Sequence, residues 1–214
     1  GSFLIVPRHV LGGKGYVAPS DKLNIAAIGA GGKGGSDINL AFNKGANNIV
    51  ALCDVDFGQA KGSIAKWPDA KRYSDFRKMF EEMGKSIDAV TVSTPDHVHG
   101  VAAMTAMQNG SHVYVQKPLT HNIYEARQLT EAARKYKMVS QMGNQGASNP
   151  GQQLMIEWYN NGLIGKVDTV YVWTDRPVWP QGIPVPGSKP ALPDTMSKAN
   201  WDLFVGPAEY VDYD

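Results

Sequence analysis

Residues 29–34, with the sequence GAGGKG, have the residue types and spacing of a phosphate-binding turn, G-x-G-x-x-G. They follow an apolar run and precede a stretch with helical spacing, which is the context that this pattern requires. Gly29 would allow the tight turn, Gly31 would let a pyrophosphate approach the backbone, and Gly34 would let the helix pack closely on a strand. The free amides at the start of that helix would bind the phosphates. A glycine-rich turn without a ligand is the alternative. The predicted dinucleotide-binding residues of this turn are Gly29, Gly31, Gly32, Lys33 and Gly34.

A carboxylate ends the next apolar run, because Asp54 follows residues 49–53. In a dinucleotide-binding sheet, an acid at the tip of the second strand accepts hydrogen bonds from the ribose hydroxyls of adenosine and repels a 2′-phosphate. No basic residue follows directly, and Asp56 is predicted to cap a helix. We therefore predict that the cofactor is NAD rather than NADP, with a surface-turn aspartate as the alternative.

Polar residues also follow the third apolar run, at the edge where open α/β sheets bind their ligands. We expect the hydroxyls and backbone of residues 93–95 to lie over the cofactor. Asp96 is predicted to cap the next helix. His97 and His99 lie two residues apart and cannot both face the site, so one of them is predicted to be structural. The predicted cofactor-binding residues are Ser93, Thr94, Pro95 and His99.

Gln116, Lys117 and Pro118 follow the fourth apolar run. A lysine there would extend its ammonium group into the cleft beside the nicotinamide. It could orient a substrate hydroxyl, stabilise a developing alkoxide or pass a proton. On spacing alone, a solvated surface lysine is the simpler interpretation.

These segments belong to a regular alternation of apolar runs and helical patterns. The helical patterns cover residues 36–43, 73–84, 97–109 and 123–137, and the apolar runs cover 24–28, 48–53, 87–93, 112–115 and 138–142. This alternation predicts βαβ units, and therefore an α/β fold with a doubly wound parallel sheet covered by helices on both faces.

The pattern changes after residue 143. Residues 150–161 predict a helix, residues 167–173 alternate as a strand, residues 177–193 read as a loop, and residues 201–214 are aromatic and strand-like. We predict an extended arm over residues 1–22, a dinucleotide-binding domain over residues 23–143, and the incomplete start of a substrate or oligomerisation domain over residues 144–214.

The motifs at residues 29–34, 51–56, 93–99 and 116–118, in this order and spacing, resemble the Gfo/Idh/MocA family of glucose–fructose oxidoreductase and inositol dehydrogenase relatives. The resemblance covers residues 23–173. It implies a Rossmann domain followed by an α/β domain with a large, mostly antiparallel sheet, and a homo-oligomer.

The resemblance also implies roles for individual residues. Lys117 matches the lysine of the family's E-K-P motif and would be the catalytic residue, with Gln116 and Pro118 as further cofactor contacts. Gln116 replaces the usual glutamate and Asp96 the usual asparagine. The family's D-x-x-x-H pair in the second domain has no match, since no histidine follows His121. We therefore expect this chain to bind cofactor without the complete catalytic set.

Substrate contacts are predicted at the start of the second domain. Gln145 is expected near the nicotinamide, as a cofactor contact, and Asn144 near the substrate. Aromatic faces in the segment after residue 172 would stack on a sugar ring, with packing of a Pro-rich loop as the alternative. The candidate substrate residues are Asn144, Trp173, Arg176 and Trp179.

Composition excludes several classes of partner. The net charge is +1, which gives no field to attract nucleic acid or an anionic membrane. No apolar run reaches the roughly 18 residues of a membrane span. Cys53 stands alone, and no Cys/His cluster has metal-ligand spacing, so we predict neither a disulfide nor a metal. The N-terminal arm resembles that of exported family members, which suggests the periplasm, with the cytoplasm as the alternative.

We predict an NAD-dependent oxidoreductase that transfers a hydride between nicotinamide and a secondary alcohol of a sugar or cyclitol. One alternative is a redox-neutral glycosidase or lyase that oxidises a sugar transiently, and another is a non-catalytic NAD-binding module.

Overall fold

The computed structural model describes residues 6, 8–13, 17–175 and 190–213. Contacts divide them into two units, one formed by the described residues up to Gly143 together with Leu192–Val211, the other by those from Asn144 to Ala191 with Asp212 and Tyr213. The helices are α1 (Arg8–Leu11), α2 (Gly32–Phe42), α3 (Lys61–Lys66), α4 (Phe76–Met83), α5 (Asp96–Gln108), α6 (Ile123–Tyr136), α7 (Pro150–Asn160) and α8 (Lys198–Val205). The strands are β1 (Asn24–Ile28), β2 (Asn48–Cys53), β3 (Lys71–Tyr73), β4 (Ala89–Val92), β5 (His112–Gln116) and β6 (Ser140–Gly143).

The strands form one parallel sheet in the order β3-β2-β1-β4-β5-β6. This is the strand order of the doubly wound dinucleotide-binding fold, and it confirms the predicted α/β class. The direction of winding reverses between β1 and β4. The carboxyl ends of these two strands therefore diverge into loops on opposite sides, which leaves a crevice for a ligand at that edge.

Hydrophobic clusters cover both faces of the sheet. Ala26 and Ile28 of β1 belong to the larger cluster, which includes residues of α4, α5 and α6, whereas Ala27 belongs to the smaller cluster with residues of α2 and α3. Successive side chains of a strand point to opposite faces, so an uninterrupted apolar run is what a strand covered on both sides needs.

Several elements of this unit differ from the sequence prediction, among them the short helices α1, in the predicted extended arm, and α3, whose residues were not among the predicted helical patterns. α2 begins at Gly32 rather than Ser36, because the glycines of the turn themselves form its first residues. β3 was not predicted, since Lys71 and Arg72 are exposed on an edge strand that lacks the apolar pattern. The other predicted helices and strands of this unit are confirmed, with ends shifted by a few residues.

Two predictions after residue 143 are wrong. Residues 167–173 form no strand, and no described strand pairs with them; an extended segment without a partner leaves its backbone groups to water. Residues 201–205 are helical rather than strand-like, because Ser197 caps α8 by accepting the N–H of Asn200 at 3.1 Å. The predicted helix α7 is confirmed, and Asn149 caps it.

Within the described ranges, no helix combines the length and the apolar character that crossing a bilayer requires.

Candidate functional site

The glycine turn lies at the crevice between β1 and β4. Gly29 follows β1 with φ +82°, a conformation that favours glycine, and a Cβ there would lie 2.6 Å from the carbonyl oxygen of Ser93. A Cβ on Gly34 would overlap the carbonyl oxygen of Gly29. The turn and the loop after β4 therefore approach each other as closely as backbone allows.

The first turn of α2 offers backbone donors to a ligand. Gly31 is the N-cap and has no side chain, so no capping side chain accepts from the amides of Gly32, Lys33 and Gly34. These amides carry the positive end of the helix dipole, which favours a phosphate. The structure thus has a helix that starts within the glycine pattern, with first-turn amides that no capping side chain occupies.

Asp54 lies directly against this turn. Its Oδ2 atom accepts the N–H groups of Ala30 at 2.8 Å and Gly31 at 3.1 Å, and its Oδ1 atom accepts the N–H of Asp56 at 2.9 Å. A carboxylate has about four lone-pair positions, so one remains for a ribose hydroxyl. The acid therefore braces the glycine turn as well as facing the crevice.

A cavity of about 380 Å³ opens beside these residues. Three carboxylates, those of Asp54, Asp56 and Asp75, line it, and no described Lys or Arg does. The remaining lining comes from the last residues of β1 and β2, the glycine turn, the loops after β2, β3 and β4, the first turns of α4 and α5, and α8 with one residue before it. Those residues are Ile28, Gly29, Gly31, Gly32, Cys53, Val55, Gln59, Ser74, Phe76, Ser93, Thr94, Pro95, Val98, Met196, Leu203 and Phe204.

Two ionisable groups of this cavity have shifted pKa values. Burial raises the pKa of the Cys53 thiol well above its usual value, and the carboxylates of Asp54 and Asp75 raise it further, so the thiol is neutral. Burial alone would raise the pKa of Asp75, but hydrogen bonds from the side chain and backbone of Arg77 outweigh it and lower that pKa. Asp75 therefore stays ionised, and its charge is offset by the Arg77 guanidinium that pairs with it at 2.8 Å.

Asp56 and Asp96 do not cap helices as predicted. Asp56 accepts the N–H of Gly58 at 2.9 Å in the turn before α3, whose N-cap is Ala60. Asp96 is the first residue of α5, after the N-cap Pro95, and its side chain forms no capping bond. As an acid in the first turn it still favours the helix dipole.

Asp37 is a buried carboxylate that the sequence analysis missed. It is 3% exposed and accepts hydrogen bonds from the hydroxyl of Ser93 at 2.8 Å and from Nε2 of Gln116 at 2.8 Å. It also pairs with the ammonium group of Lys33, one helical turn earlier. The Asp37 carboxylate therefore connects three segments: the glycine turn through Lys33, the loop after β4 through Ser93, and the end of β5 through Gln116. The sequence signal that could have identified this site is a charged residue, Asp37, on the side of α2 that faces the sheet.

Gln116 is buried rather than open to a ligand. Its Nε2 atom donates to Asp37, and its Oε1 atom accepts the N–H of Lys117 at 3.2 Å. The predicted direct cofactor contact is therefore replaced by a bracing role, in which the side chain fixes the backbone that carries Lys117.

The two histidines after β4 both bind backbone carbonyl oxygens. His99 is 1% exposed, and its ring nitrogens lie 2.8 Å and 2.7 Å from the carbonyl oxygens of Thr94 and Pro118. The ring lies between two carbonyl oxygens, and in either neutral tautomer its one N–H donates to one of them. The side chain therefore contacts two loops and has no free polar atom for a cofactor, contrary to the prediction. His97 bonds through Nε2 to the carbonyl oxygen of Phe204 in α8, at 2.8 Å.

The remaining predicted site residues lie at different places. The side chains of Lys117 and Pro118 are exposed after β5, joined by a cis peptide bond, while Thr94 and Pro95 line the cavity. Asn144 and Gln145 belong to the second unit, where Trp173 is 85% exposed. Arg176 and Trp179 lie outside the described residues.

One family model matches this chain. A model of the Gfo/Idh/MocA family, described as an oxidoreductase family with an NAD-binding Rossmann fold, matches residues 23–144. The chain is 28% identical over 167 residues to a D-glucoside 3-dehydrogenase of Escherichia coli, covering 77% of this chain and 46% of that protein. It is 27% identical over 150 residues to a glycosyl hydrolase family 109 protein of Streptomyces niveus, covering 67% and 30%.

A solved structure also matches. An NAD-binding oxidoreductase from Klebsiella pneumoniae superposes with a TM-score of 0.55 and 28% identity, over 67% of this chain and 40% of that one. The chain thus spans less than half the length of the relatives that it matches. The family model, however, covers more than half of this chain and agrees with the strand order and the glycine turn. The chain therefore belongs to the Gfo/Idh/MocA oxidoreductase family and carries its NAD-binding Rossmann fold.

Proposed function

We propose that this chain holds NAD(H) for an oxidoreductase that acts on a secondary alcohol of a sugar or cyclitol. The observation that carries the proposal is the pairing of free amides at the start of α2 with the Asp54 carboxylate on the neighbouring strand, both at one cavity. Bound NAD would supply a hydride acceptor at its nicotinamide. The named relatives, a glucoside dehydrogenase and a glycosyl hydrolase, support a carbohydrate-like substrate.

In this proposal each group of the chain has one task. The amides of Gly32, Lys33 and Gly34 bind the pyrophosphate, and Asp54 accepts a ribose hydroxyl of adenosine. Lys117, exposed after β5, orients the substrate hydroxyl or passes its proton. Gln116 and His99 hold the backbone on either side of that lysine through their own hydrogen bonds.

We expect NAD to bind on the order of tenfold more tightly than NADP, because Asp54 and Asp56 line the cavity while no described Lys or Arg does. Arg77, a cation beside the lining, is already paired with Asp75. Asp54→Ala should weaken NAD binding by about 2 kcal/mol and narrow the difference between the two nucleotides, since a charged hydrogen bond is lost. Calorimetric titration of both nucleotides measures this. Asp21→Ala, at an exposed acid in the turn before β1, is the matched control. Equal or tighter binding of NADP by the parent protein would contradict the role given to Asp54.

A redox-neutral glycosidase is the second candidate, favoured by the similarity to a glycosyl hydrolase family 109 protein. Net redox change separates the two activities. With sugars or cyclitols, a dehydrogenase accumulates NADH absorbance, whereas the glycosidase releases a cleaved product without it. A non-catalytic module would show neither, and its function would survive Lys117→Ala.

A further inference from the structure

One segment far along the chain returns to the dinucleotide-binding unit. Leu192–Val211, which includes α8, belongs to the same unit as the sheet although it lies beyond the residues 23–144 that match the family model. It was predicted only as part of a second domain. Its position beside the proposed NAD site therefore needs its own explanation.

Specific polar contacts hold α8 on the loops of the crevice. Asn200 donates from Nδ2 to the carbonyl oxygen of Val55, in the loop after β2, at 2.8 Å. His97, after β4, bonds to the carbonyl oxygen of Phe204 at 2.8 Å. Thr195 packs so closely on Gly58 that a Cβ there would lie 2.5 Å from its Cγ2 atom. The segment is thus fastened to the loop after β2 and to the first turn of α5, both of which contribute residues to the cavity lining.

The face that α8 presents to the cavity is apolar. Met196, Leu203 and Phe204 line the same cavity as Asp54 and the glycine turn. The ring of Phe204 is held by a stacked contact with Trp201, with centroids 5.1 Å apart and planes 13° apart. A ligand whose sugar is bound by Asp54 would therefore meet an ordered aromatic and aliphatic wall.

We infer that α8 supplies the wall against which the adenine base of NAD packs, with Phe204 as the main contact. This inference rests on the proposed NAD site. Asp54 fixes the adenosine ribose, and the base attached to that ribose is flat, weakly polar and suited to an apolar wall. The hydrogen bonds of α8 to Val55 and His97 hold this wall in place before a ligand binds. The adenine pocket is therefore built from the dinucleotide-binding domain and from a segment more than a hundred residues further along the chain.

The test compares ligands that share the adenosine half. Phe204→Ala should weaken the binding of NAD and of ADP-ribose by the same factor, about tenfold, because contact between a base and an aromatic ring is lost from both. Phe204→Leu should recover most of that loss. Tyr210→Ala, at a 46% exposed residue of the same segment outside the cavity lining, should change neither affinity. Calorimetry gives the affinities, and thermal unfolding without ligand shows whether each variant is folded.

The possible results distinguish a failure of the adenine wall from a failure of the proposed NAD site. If the parent protein binds neither NAD nor ADP-ribose, the proposed NAD site fails. If the parent binds both and folded Phe204→Ala keeps its affinity, or loses affinity for NAD alone, the adenine wall is wrong while the NAD site stands.

Discussion

Gly34→Ala is expected to lower the free energy of unfolding by about 2–3 kcal/mol and to abolish measurable NAD binding. A Cβ at this position would overlap the carbonyl oxygen of Gly29, a backbone atom that cannot rotate away as a side chain would. Forcing one carbon into a filled backbone contact costs this amount in other proteins. The start of α2 would have to move off the strand, and its amides would leave the phosphate position. Urea unfolding and calorimetric titration measure the two effects.

Gly62→Ala is the matched control for that substitution. Gly62 lies inside α3, where an added Cβ meets no atom within 4 Å. Alanine is the better helix former, so this change should leave stability unaltered or raise it by up to about 1 kcal/mol. A Gly34→Ala protein as stable as Gly62→Ala, and still able to bind NAD, would show that the glycine is not required by close packing.

The sheet was predictable from sequence because its strands are covered on both faces. β1, β2, β4 and β5 read as short, mainly apolar runs, and the glycine turn identified the strand from which the chain enters the site. β3 was not predicted because Lys71 and Arg72 are exposed on an edge strand, which therefore has no apolar run. The pattern therefore identifies apolar strands and misses an edge strand made of charged residues.

The candidate site was predictable only where a motif fixes backbone conformation. Gly29 and Asp54 lie at the crevice that the motif required. His99 and Gln116 were both predicted to contact the cofactor, yet their side chains form long-range contacts that hold loops together. The packing of α8 on the cavity joins residues more than a hundred positions apart, which no local pattern encodes.

Gln116→Glu is expected to destabilise the protein by about 2–3 kcal/mol, and Asp37→Asn in the same chain to restore most of the loss. The buried carboxylate of Asp37 accepts a hydrogen bond from the amide of Gln116 at 2.8 Å. A glutamate there would set two carboxylates against each other without water between them, and a buried pair broken in this way costs this order of energy. In the double variant the amide is at position 37 and the carboxylate at position 116, so the contact again has one donor and one acceptor.

The contact between Asp37 and Gln116 also explains why the chain departs from the glutamate of the E-K-P motif that it resembles. With aspartate at position 37, glutamine is the residue of that shape that can donate to it, while its Oε1 atom still accepts the N–H of Lys117. A double-mutant cycle by urea unfolding gives the coupling between the two positions directly. Asp37 also accepts from Ser93 and pairs with Lys33, so a residual loss in the double variant is expected from those two contacts. Additive losses, with the double variant less stable than either single one, would mean that the two side chains do not act as a pair.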